Sequence, residues 1–492
     1  MNDQSATPAQ RHFFLPWQQR EITQSSQYFQ TCFAHVIMLA EQKIISKEDG
    51  VSLVSSLSEM RDRDAADISE GKVETFIVLF EEFVAKRLGD DVAGTLNTAL
   101  SRIDQNATVW RLYIRGKLVE VTERIVKLQR ALLNKASDHL DTAHIYYTHL
   151  QQAQPSTWAH YLLAFVEKFE DDLQRCEQAF VRTNRNPLGT VARSGTAWPI
   201  DRHRTEDLLG FEGLILNSFL GRDAHYAVEI LGCLSLTMSD LNDLATDLHL
   251  WSSQEFGFVK LPSEFCANSA QMPHKRNPVV LETIKVLAGE AALWQATGLA
   301  TFRGAGTGDQ IVHGVPAHLD RAFKVTYEML ELTEQIIVAL IIDCERPRKL
   351  LTNSWTASNN LADVLVQEYN ISFRQSHKIV GKLVTLCEDC DKSSNTVSPE
   401  ELKTASSLVI GREIDLTQDN LTKALDPMLF IASRVSEGSV GPLQVEKMQK
   451  YFEALWRRGL NWVEERKANI QRSEEELDRA AACIMNAGSS VL

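Results

Sequence analysis

Residues 107–140 read ATVWRLYIRGKLVEVTERIVKLQRALLNKASDHL, and this stretch gives the clearest structural signal in the chain. Its apolar residues recur at steps that alternate between four and three: Ile114, Leu118, Val121, Ile125, Leu128 and Leu132. This spacing is the seam of a coiled-coil-type helix, whose apolar stripe is covered only when other helices pack against it. The stretch therefore predicts one long helix inside a helical bundle.

The distribution of the 13 prolines leaves room for further long helices. None lies between Pro16 and Pro155, and none lies between Pro199 and Pro262. Because proline breaks the interior of a helix, such runs favour long helices. Helical spacing recurs in two more stretches, at Tyr226, Ile230, Leu234, Leu241, Leu244, Leu248 and Trp251 and again at Val280, Ile284, Leu287 and Ala291. No segment shows a convincing period of two between hairpin turns, so the sequence predicts an all-α fold.

The predicted chain has three parts. Polar breaks near 88–106 and 345–358 separate an N-terminal helical domain, a central domain of long helices and a C-terminal helical domain, with expected limits at 1–106, 107–355 and 356–492. Helices of about thirty residues are longer than a small monomeric domain can cover. We therefore expect the central bundle to be shared between subunits.

Composition excludes several classes of protein. A net charge of −14, with 44% hydrophobic and 24% charged residues, is typical of a globular protein and argues against nucleic-acid binding. The longest purely apolar run, 336–342, is too short to span a membrane, and the polar stretch 1–10 has no signal region, so we expect a cytoplasmic protein. The eight cysteines include one isolated CxxC, at 387–390, which is a weak signal; we expect core thiols and no metal site.

Residues 268–278 read NSAQMPHKRNP and combine several groups that bind protons or anions. The segment includes a hydroxyl, an imidazole, two cations and an amide: Ser269, His274, Lys275, Arg276 and Asn277. Pro273 and Pro278 hold it out of helical structure. In a chain of negative net charge, local cations must capture an anionic substrate, so this loop suits a substrate that bears carboxylates.

The loop resembles the signature loop of the fumarase/aspartase superfamily, and its Met-Pro-x-Lys-x-Asn core, Met272–Asn277, is highly specific. Further segments resemble the argininosuccinate lyase family within that superfamily. Five matches follow one another along the chain: 148–155, 199–211, 251–258, 268–278 and 373–382. The resemblance implies an all-α homotetramer in which several subunits build each active site.

The superfamily breaks a C–N or C–O bond β to a carboxylate and releases fumarate, and the resemblance implies the same here. Removing the weakly acidic carbon-bound proton requires a base and fixed positive charge for the aci-carboxylate that forms. By resemblance, Ser269 is the base, while Lys275 and Asn277 hold one substrate carboxylate. Thr148 holds the other, and His149 protonates the departing nitrogen or orients the substrate. A serine hydroxyl is a weak base, so nearby cations and backbone N–H groups must activate it.

The resemblance adds a second group of site residues. Glu282 would polarise a histidine, with stabilisation of the helix after Pro278 as its alternative role. Ser101, Arg102 and Gln105 would bind substrate, with an intersubunit ion pair as the alternative role of Arg102. No metal, nucleotide or organic cofactor is implied, because the leaving group departs by acid–base chemistry alone.

The sequence departs from the argininosuccinate lyase pattern mainly on the leaving-group side. Ile103 replaces an amide that contacts substrate, Asn97 replaces a histidine, and 303–310 stands where the family has the block that helps to recognise the arginine end. In the signature loop, Asn268 and Ala270 replace a glycine and a serine. The fumarate side is kept, which favours the same C–N chemistry on a different N-substituted aspartate, run as cleavage or as amine addition to fumarate.

Several interpretations stay open. The chain is a lyase for argininosuccinate, or for another N-substituted aspartate such as the ethylenediamine-disuccinate type. Alternatively it is an adenylosuccinate-type lyase, although no phosphate-binding cluster is recognisable in the sequence. A catalytically inactive relative with a structural role, as among lens crystallins, is the last alternative, against which the retained Ser269, Lys275 and His149 argue.

Overall fold

The N-terminal part is helical, in the computed structural model that describes residues 7–63, 76–301 and 315–489. A short π-helix at Gln10–Phe14 precedes α1 (Leu15–Thr23), α2 (Ser25–Glu41), α3 (Lys47–Arg61), α4 (Phe76–Leu88) and α5 (Asp90–Thr95). Phe33 of α2, Leu53 of α3 and Phe80 of α4 belong to one buried apolar cluster. This cluster is the core of the N-terminal part.

The long helices predicted for the centre of the chain are present. They are α6 (Arg102–Asp138), α7 (Trp158–Thr183), α8 (Arg202–Leu209), α9 (His225–Trp251), α10 (Val279–Ala291), α11 (Trp294–Thr301) and α12 (Val315–Ala339). α6, α7, α9 and α12 pack around one apolar core. The predicted seam of α6 lies in this core, with at most 1% of each seam residue exposed. Burying one such side chain contributes about 1.5–3 kcal/mol, so the seam strongly stabilises the bundle.

The C-terminal part divides into a separate cluster and one returning helix. Its elements are α13 (Glu345–Thr352), α14 (Ser358–Tyr369), α15 (Phe373–Glu388), α16 (Pro399–Ile410), α17 (Gln418–Leu425), α18 (Pro427–Ala432) and α19 (Pro442–Ser489). α14 to α17 enclose their own apolar cluster. α19 has 48 residues; its Phe452 and Val463 join the central core, and its Leu477 joins the N-terminal cluster. The predicted domain limits are not tested by the structure. α19, however, packs against the N-terminal and central parts of the chain rather than against the cluster of α14 to α17.

Short antiparallel strand pairs interrupt the helices, and the largest was not predicted. The strands are β1 (Ala143–Thr148), β2 (Gln151–Thr157), β3 (Val259–Lys260), β4 (Ala267–Asn268), β5 (Arg276–Asn277) and β6 (Ile341–Ile342), paired as β1–β2, β3–β6 and β4–β5. The β1–β2 turn, at His149 and Leu150, has positive φ without glycine, and the hairpin is buried at one end rather than on one face. The two usual sequence signals of a hairpin are therefore missing.

The stretch 303–310, expected to replace the block that recognises the arginine end, lies outside the described residues. Within the described ranges, no helix is both long enough and apolar enough to cross a membrane.

Asp172 is a buried carboxyl of α7 whose environment sets a pH dependence of stability. Its side chain is fully buried and accepts a hydrogen bond from Arg175 at 2.7 Å. Burial, together with the nearby Asp240 carboxylate, raises the pKa of Asp172 from 3.8 to about 7. The folded protein therefore binds this proton more tightly than the unfolded chain, and stability decreases as the pH rises from about 4 to about 7.

We predict that Asp172→Asn stabilises the protein, and that the gain is on the order of 2 kcal/mol larger at pH 8 than at pH 5. The amide removes the buried charge and keeps an acceptor for Arg175. Urea unfolding at the two pH values measures the difference. The matched control is Asp171→Asn, because Asp171 also lies near Arg175 but is 64% exposed. An equal effect of Asp172→Asn at both pH values would contradict the raised pKa.

Candidate active site

The loop between β4 and β5 holds the hydroxyl of Ser269 among backbone donors. Its Oγ accepts hydrogen bonds from the backbone N–H groups of Met272, at 3.0 Å, and Gln271, at 3.4 Å. Donors directed at one oxygen favour its deprotonated form. The loop therefore supplies part of the activation that a serine base requires.

The two cations of the loop have different surroundings. β4 and β5 place Asn268 opposite Arg276, and the Arg276 guanidinium donates to the side-chain oxygen of Asn268. Asn277 is half-buried beside this pair. The side chain of Lys275 is exposed and, among the residues that the structure describes, has no acidic partner. Arg276 thus bonds across the loop to Asn268, whereas the Lys275 side chain is exposed to solvent.

Thr148 and His149 lie at the tip of the β1–β2 hairpin. His149 and Leu150 have φ of 55° and 59°, which is the two-residue turn that matches the twist of a hairpin. All three residues are exposed. Below the tip, the Tyr146 hydroxyl bonds to the imidazole of His160, and burial raises the pKa of Tyr146 to about 12. The lower end of the hairpin is therefore held in place, and its polar tip lies outside the core of the chain.

Ser101 is the N-cap of α6, and Asp104 in the first turn connects this helix start to a neighbouring loop by hydrogen bonds. Its Oγ accepts from the Ile103 backbone N–H at 3.3 Å, and Asp104 completes a capping box by accepting from the Ser101 N–H at 3.0 Å. The second carboxylate oxygen of Asp104 accepts from the N–H groups of Gly189 and Val191, both at 2.9 Å. These bonds fix the position of the helix start, so Ser101 has a structural role in addition to its predicted contact with substrate.

Arg102 and Gln105 have partners within the chain. The Arg102 guanidinium lies 3.7 Å from the Glu81 carboxylate, at a largely exposed position. Gln105 is buried, and its amide donates to the sulfur of Cys32 at 3.4 Å. Burial raises the pKa of that thiol to about 12, which keeps it protonated. The substrate contacts of Arg102 and Gln105 stay predictions; the partners found here suit a structural role.

Glu282 lies in the first turn of α10, where a negative charge is favoured. The histidine beside it in the same chain is His249, in the last turn of α9, with Nε2 at 3.8 Å from the Glu282 carboxylate. Lys285 Nζ lies 3.5 Å from the other ring nitrogen of His249. The sequence motifs include neither His249 nor Lys285, because only the packing of α9 against α10 brings them to Glu282.

One chain therefore presents its predicted site residues in three separate groups. The groups are Ser269, Lys275, Asn277 and Glu282 at the loop and the following helix, Thr148 and His149 at the hairpin tip, and Ser101, Arg102 and Gln105 at the start of α6. Across the described part of a single chain, no hydrogen bond or ion pair joins one group to another. The loop contributes a hydroxyl, a cation and an amide, and the hairpin tip contributes a second hydroxyl and an imidazole.

The described residues include His, Cys, Asp and Glu side chains, which are the types that bind metal ions in proteins. Among them, no three or more His, Cys, Asp and Glu side chains gather into a group that could hold a metal ion. In the CxxC segment, Cys387 is buried and Cys390 is exposed, and neither forms a disulfide.

The chain matches two protein-family models. Residues 25–293 match a model described as lyase, and residues 355–432 match a model for the C-terminal part of argininosuccinate lyase. The argininosuccinate lyase of Methanocaldococcus jannaschii is 32% identical over 447 residues, which cover 90% of this chain and 91% of that protein. The argininosuccinate lyase of Methanothermobacter thermautotrophicus is 31% identical over 429 residues, which cover 86% and 91%.

Solved structures of similar fold belong to another enzyme of the lyase class. A crystal structure of EDDS lyase in complex with formate has a TM-score of 0.88 and 27% identity, over 94% of this chain and 92% of that chain. An EDDS lyase variant with bound fumarate has a TM-score of 0.87 and the same identity, over the same shares of the two chains. Ser269, Lys275 and the hairpin tip all lie within the region that matches the lyase model. The chain therefore belongs to the fumarase/aspartase superfamily and, within it, to the argininosuccinate lyase-like carbon–nitrogen lyases that release fumarate.

Proposed function

We propose that this protein splits an N-substituted L-aspartate into fumarate and an amine, with Ser269 as the base. The observation that supports this most is the Ser269 hydroxyl, held by two backbone N–H groups in the same loop as the exposed Lys275. Taking a carbon-bound proton requires a base and a cation near the adjacent carboxylate, since negative charge accumulates there. A short loop fixed by a strand pair supplies both.

The proposed reaction gives each group one task. Ser269 takes the proton from the carbon next to the carboxylate that Lys275 and Asn277 bind, and the electron pair moves into an aci-carboxylate. Collapse of this intermediate forms the C=C bond of fumarate and breaks the C–N bond. The nitrogen leaves with a proton from His149, while Thr148 binds the second carboxylate. The reverse sequence adds an amine to fumarate.

The amine half of the substrate differs, in this proposal, from the arginine of argininosuccinate. Ile103 is half-buried in the first turn of α6, next to Arg102. An alkyl side chain offers a guanidinium no hydrogen bond, so the first turn is poorly suited to an arginine end. The likeness to EDDS lyase supports another amine. Argininosuccinate is the second candidate substrate, because the two archaeal relatives are named argininosuccinate lyases.

The exposed face of α10 and α11 supports assembly with further copies of the chain. A stripe of small and apolar residues follows helical spacing along it: Val286, Gly289, Leu293, Ala296 and Leu299. Val286 is 72% exposed and Leu293 is 65% exposed. Such stripes on a protein surface mark interaction sites, and a second copy offers a matching stripe. The proposed assembly is a homotetramer that brings the hairpin tip of one chain to the loop of another.

A cytoplasmic location belongs to the same proposal. All eight cysteines are unpaired, which is usual in a reducing compartment.

The test of this function is ultraviolet detection of fumarate. Argininosuccinate, ethylenediamine-disuccinate and adenylosuccinate are offered in parallel to the purified protein. We expect fumarate from ethylenediamine-disuccinate or a related adduct, and a kcat/KM for argininosuccinate lower by at least about tenfold, because Ile103 gives the guanidinium no partner. Faster release from argininosuccinate than from the other adducts would identify it as the substrate. No release from any adduct, and no uptake of fumarate with a panel of amines, would contradict the proposed activity.

A further inference from the structure

Lys285, His249 and Glu282 form a short chain of polar contacts beside the signature loop. The Lys285 ammonium lies 3.5 Å from His249 Nδ1, and His249 Nε2 lies 3.8 Å from Glu282 Oε1. His249 comes from the last turn of α9, whereas Glu282 and Lys285 lie one turn apart on α10. The contact between the two helices therefore places a histidine and a lysine at the carboxylate of Glu282.

The contact with Lys285 favours one tautomer of the His249 ring. An ammonium group only donates hydrogen bonds, so Nδ1 of His249 must accept from Lys285. The ring proton then lies on Nε2 and points to the Glu282 carboxylate. The side chains of His249 and Glu282 are 31% and 53% exposed, so contacts with neighbouring side chains are needed to hold both in one orientation.

We propose that His249 is a positioning residue that orients Glu282 towards the histidine of the active site. This inference rests on the proposed function, and it takes His149 as the histidine that Glu282 is expected to polarise. A carboxylate has two oxygens; Oε1 faces His249, which leaves Oε2 for a second imidazole. Fixing one oxygen removes rotational freedom from a long, half-exposed side chain, so the other oxygen is presented in one direction. Lys285 fixes the His249 ring in the same way.

The test compares two substitutions of His249. Leucine removes both ring contacts. Glutamine keeps a polar group of similar reach, with an amide oxygen able to accept from Lys285 and an amide nitrogen able to donate towards Glu282. For His249→Leu we expect kcat to fall by about 10- to 100-fold, the range for a catalytic group displaced by about 1 Å. KM should change by less than about twofold, because the residues that bind the carboxylates are intact. His249→Gln should recover most of the lost kcat.

Lys285→Met provides a second variant that leaves the imidazole in place. We expect a smaller decrease of kcat in the same direction, because the ring loses its anchor. The matched control is Lys450→Met, since Lys450 is another helix-surface lysine with one side-chain partner, Glu446, four residues before it. Activity is measured as fumarate release from ethylenediamine-disuccinate and from argininosuccinate, with thermal unfolding of each variant as the check of its fold.

The outcomes separate this inference from the proposed function. A wild-type protein that releases fumarate, together with a His249→Leu variant of unchanged kcat, overturns the positioning role alone. The same holds if His249→Gln is as impaired as His249→Leu, because the polar contacts would then not matter. A wild-type protein that releases no fumarate from any of the three adducts, and takes up none with the panel of amines, overturns the proposed function and this inference with it.

Discussion

Replacing Ser269 with alanine should reduce kcat for fumarate release by about 10²- to 10⁴-fold, the range for removal of a general base. Alanine has no oxygen to take the carbon-bound proton. KM should change little, because Lys275 and Asn277 still bind the substrate carboxylate. The N–H groups of Met272 and Gln271 lose an acceptor, but both residues are exposed, so water replaces the hydroxyl and the fold is kept.

The comparison for this variant is Ser263→Ala. Ser263 lies in the short 3₁₀ helix Ser263–Phe265 before the same loop; it is exposed, whereas Ser269 is half-buried. We expect wild-type activity from this control and equal thermal unfolding of both variants. If Ser269→Ala keeps activity within about tenfold of wild type, a general base lies elsewhere and the proposed mechanism is wrong.

The long central helices could be predicted because their sequence is locally consistent. The seam of 107–140 repeats at steps of four and three, and the same positions are buried in α6. α19 shows what local pattern leaves out. The sequence analysis predicts no single long helix there, although the run after Pro442 contains no proline, and the return of α19 along α6, α7 and the N-terminal helices depends on contacts with residues hundreds of positions away. Packing between distant segments is not contained in a window of local sequence.

The candidate site also has a part that could be predicted from local sequence and a part that could not. Ser269, Lys275 and His149 could be selected from the sequence, because their motifs are specific. The hairpin that presents His149 could not, since a turn with positive φ at His149 and Leu150 is uncommon without glycine or asparagine. The contact of His249 with Glu282 could not be predicted either, because it depends on how α9 crosses α10.

The separation of the hairpin tip from the loop leads to a test of subunit composition. We expect His149→Asn and Ser269→Ala to be inactive alone and to regain activity when they are unfolded and refolded together. If each site takes its hairpin from one chain and its loop from another, random assembly gives about a quarter of the sites a wild-type copy of both. Asparagine is chosen at 149 because it tolerates the positive φ of this turn.

A matched mixture distinguishes this recovery from partial activity of the variants. Ser269→Ala and Lys275→Met alter the same loop, so every loop in their mixed assemblies contains one defect and no site can be complete. We therefore expect the mixture of His149→Asn and Ser269→Ala to release fumarate. The mixture of Ser269→Ala and Lys275→Met should release no more fumarate than the two variants release separately. Equal activity of the two mixtures would place the hairpin tip and the loop of each site in the same chain. In that case the two groups, which a single chain holds apart, would have to meet by a movement of the hairpin or the loop.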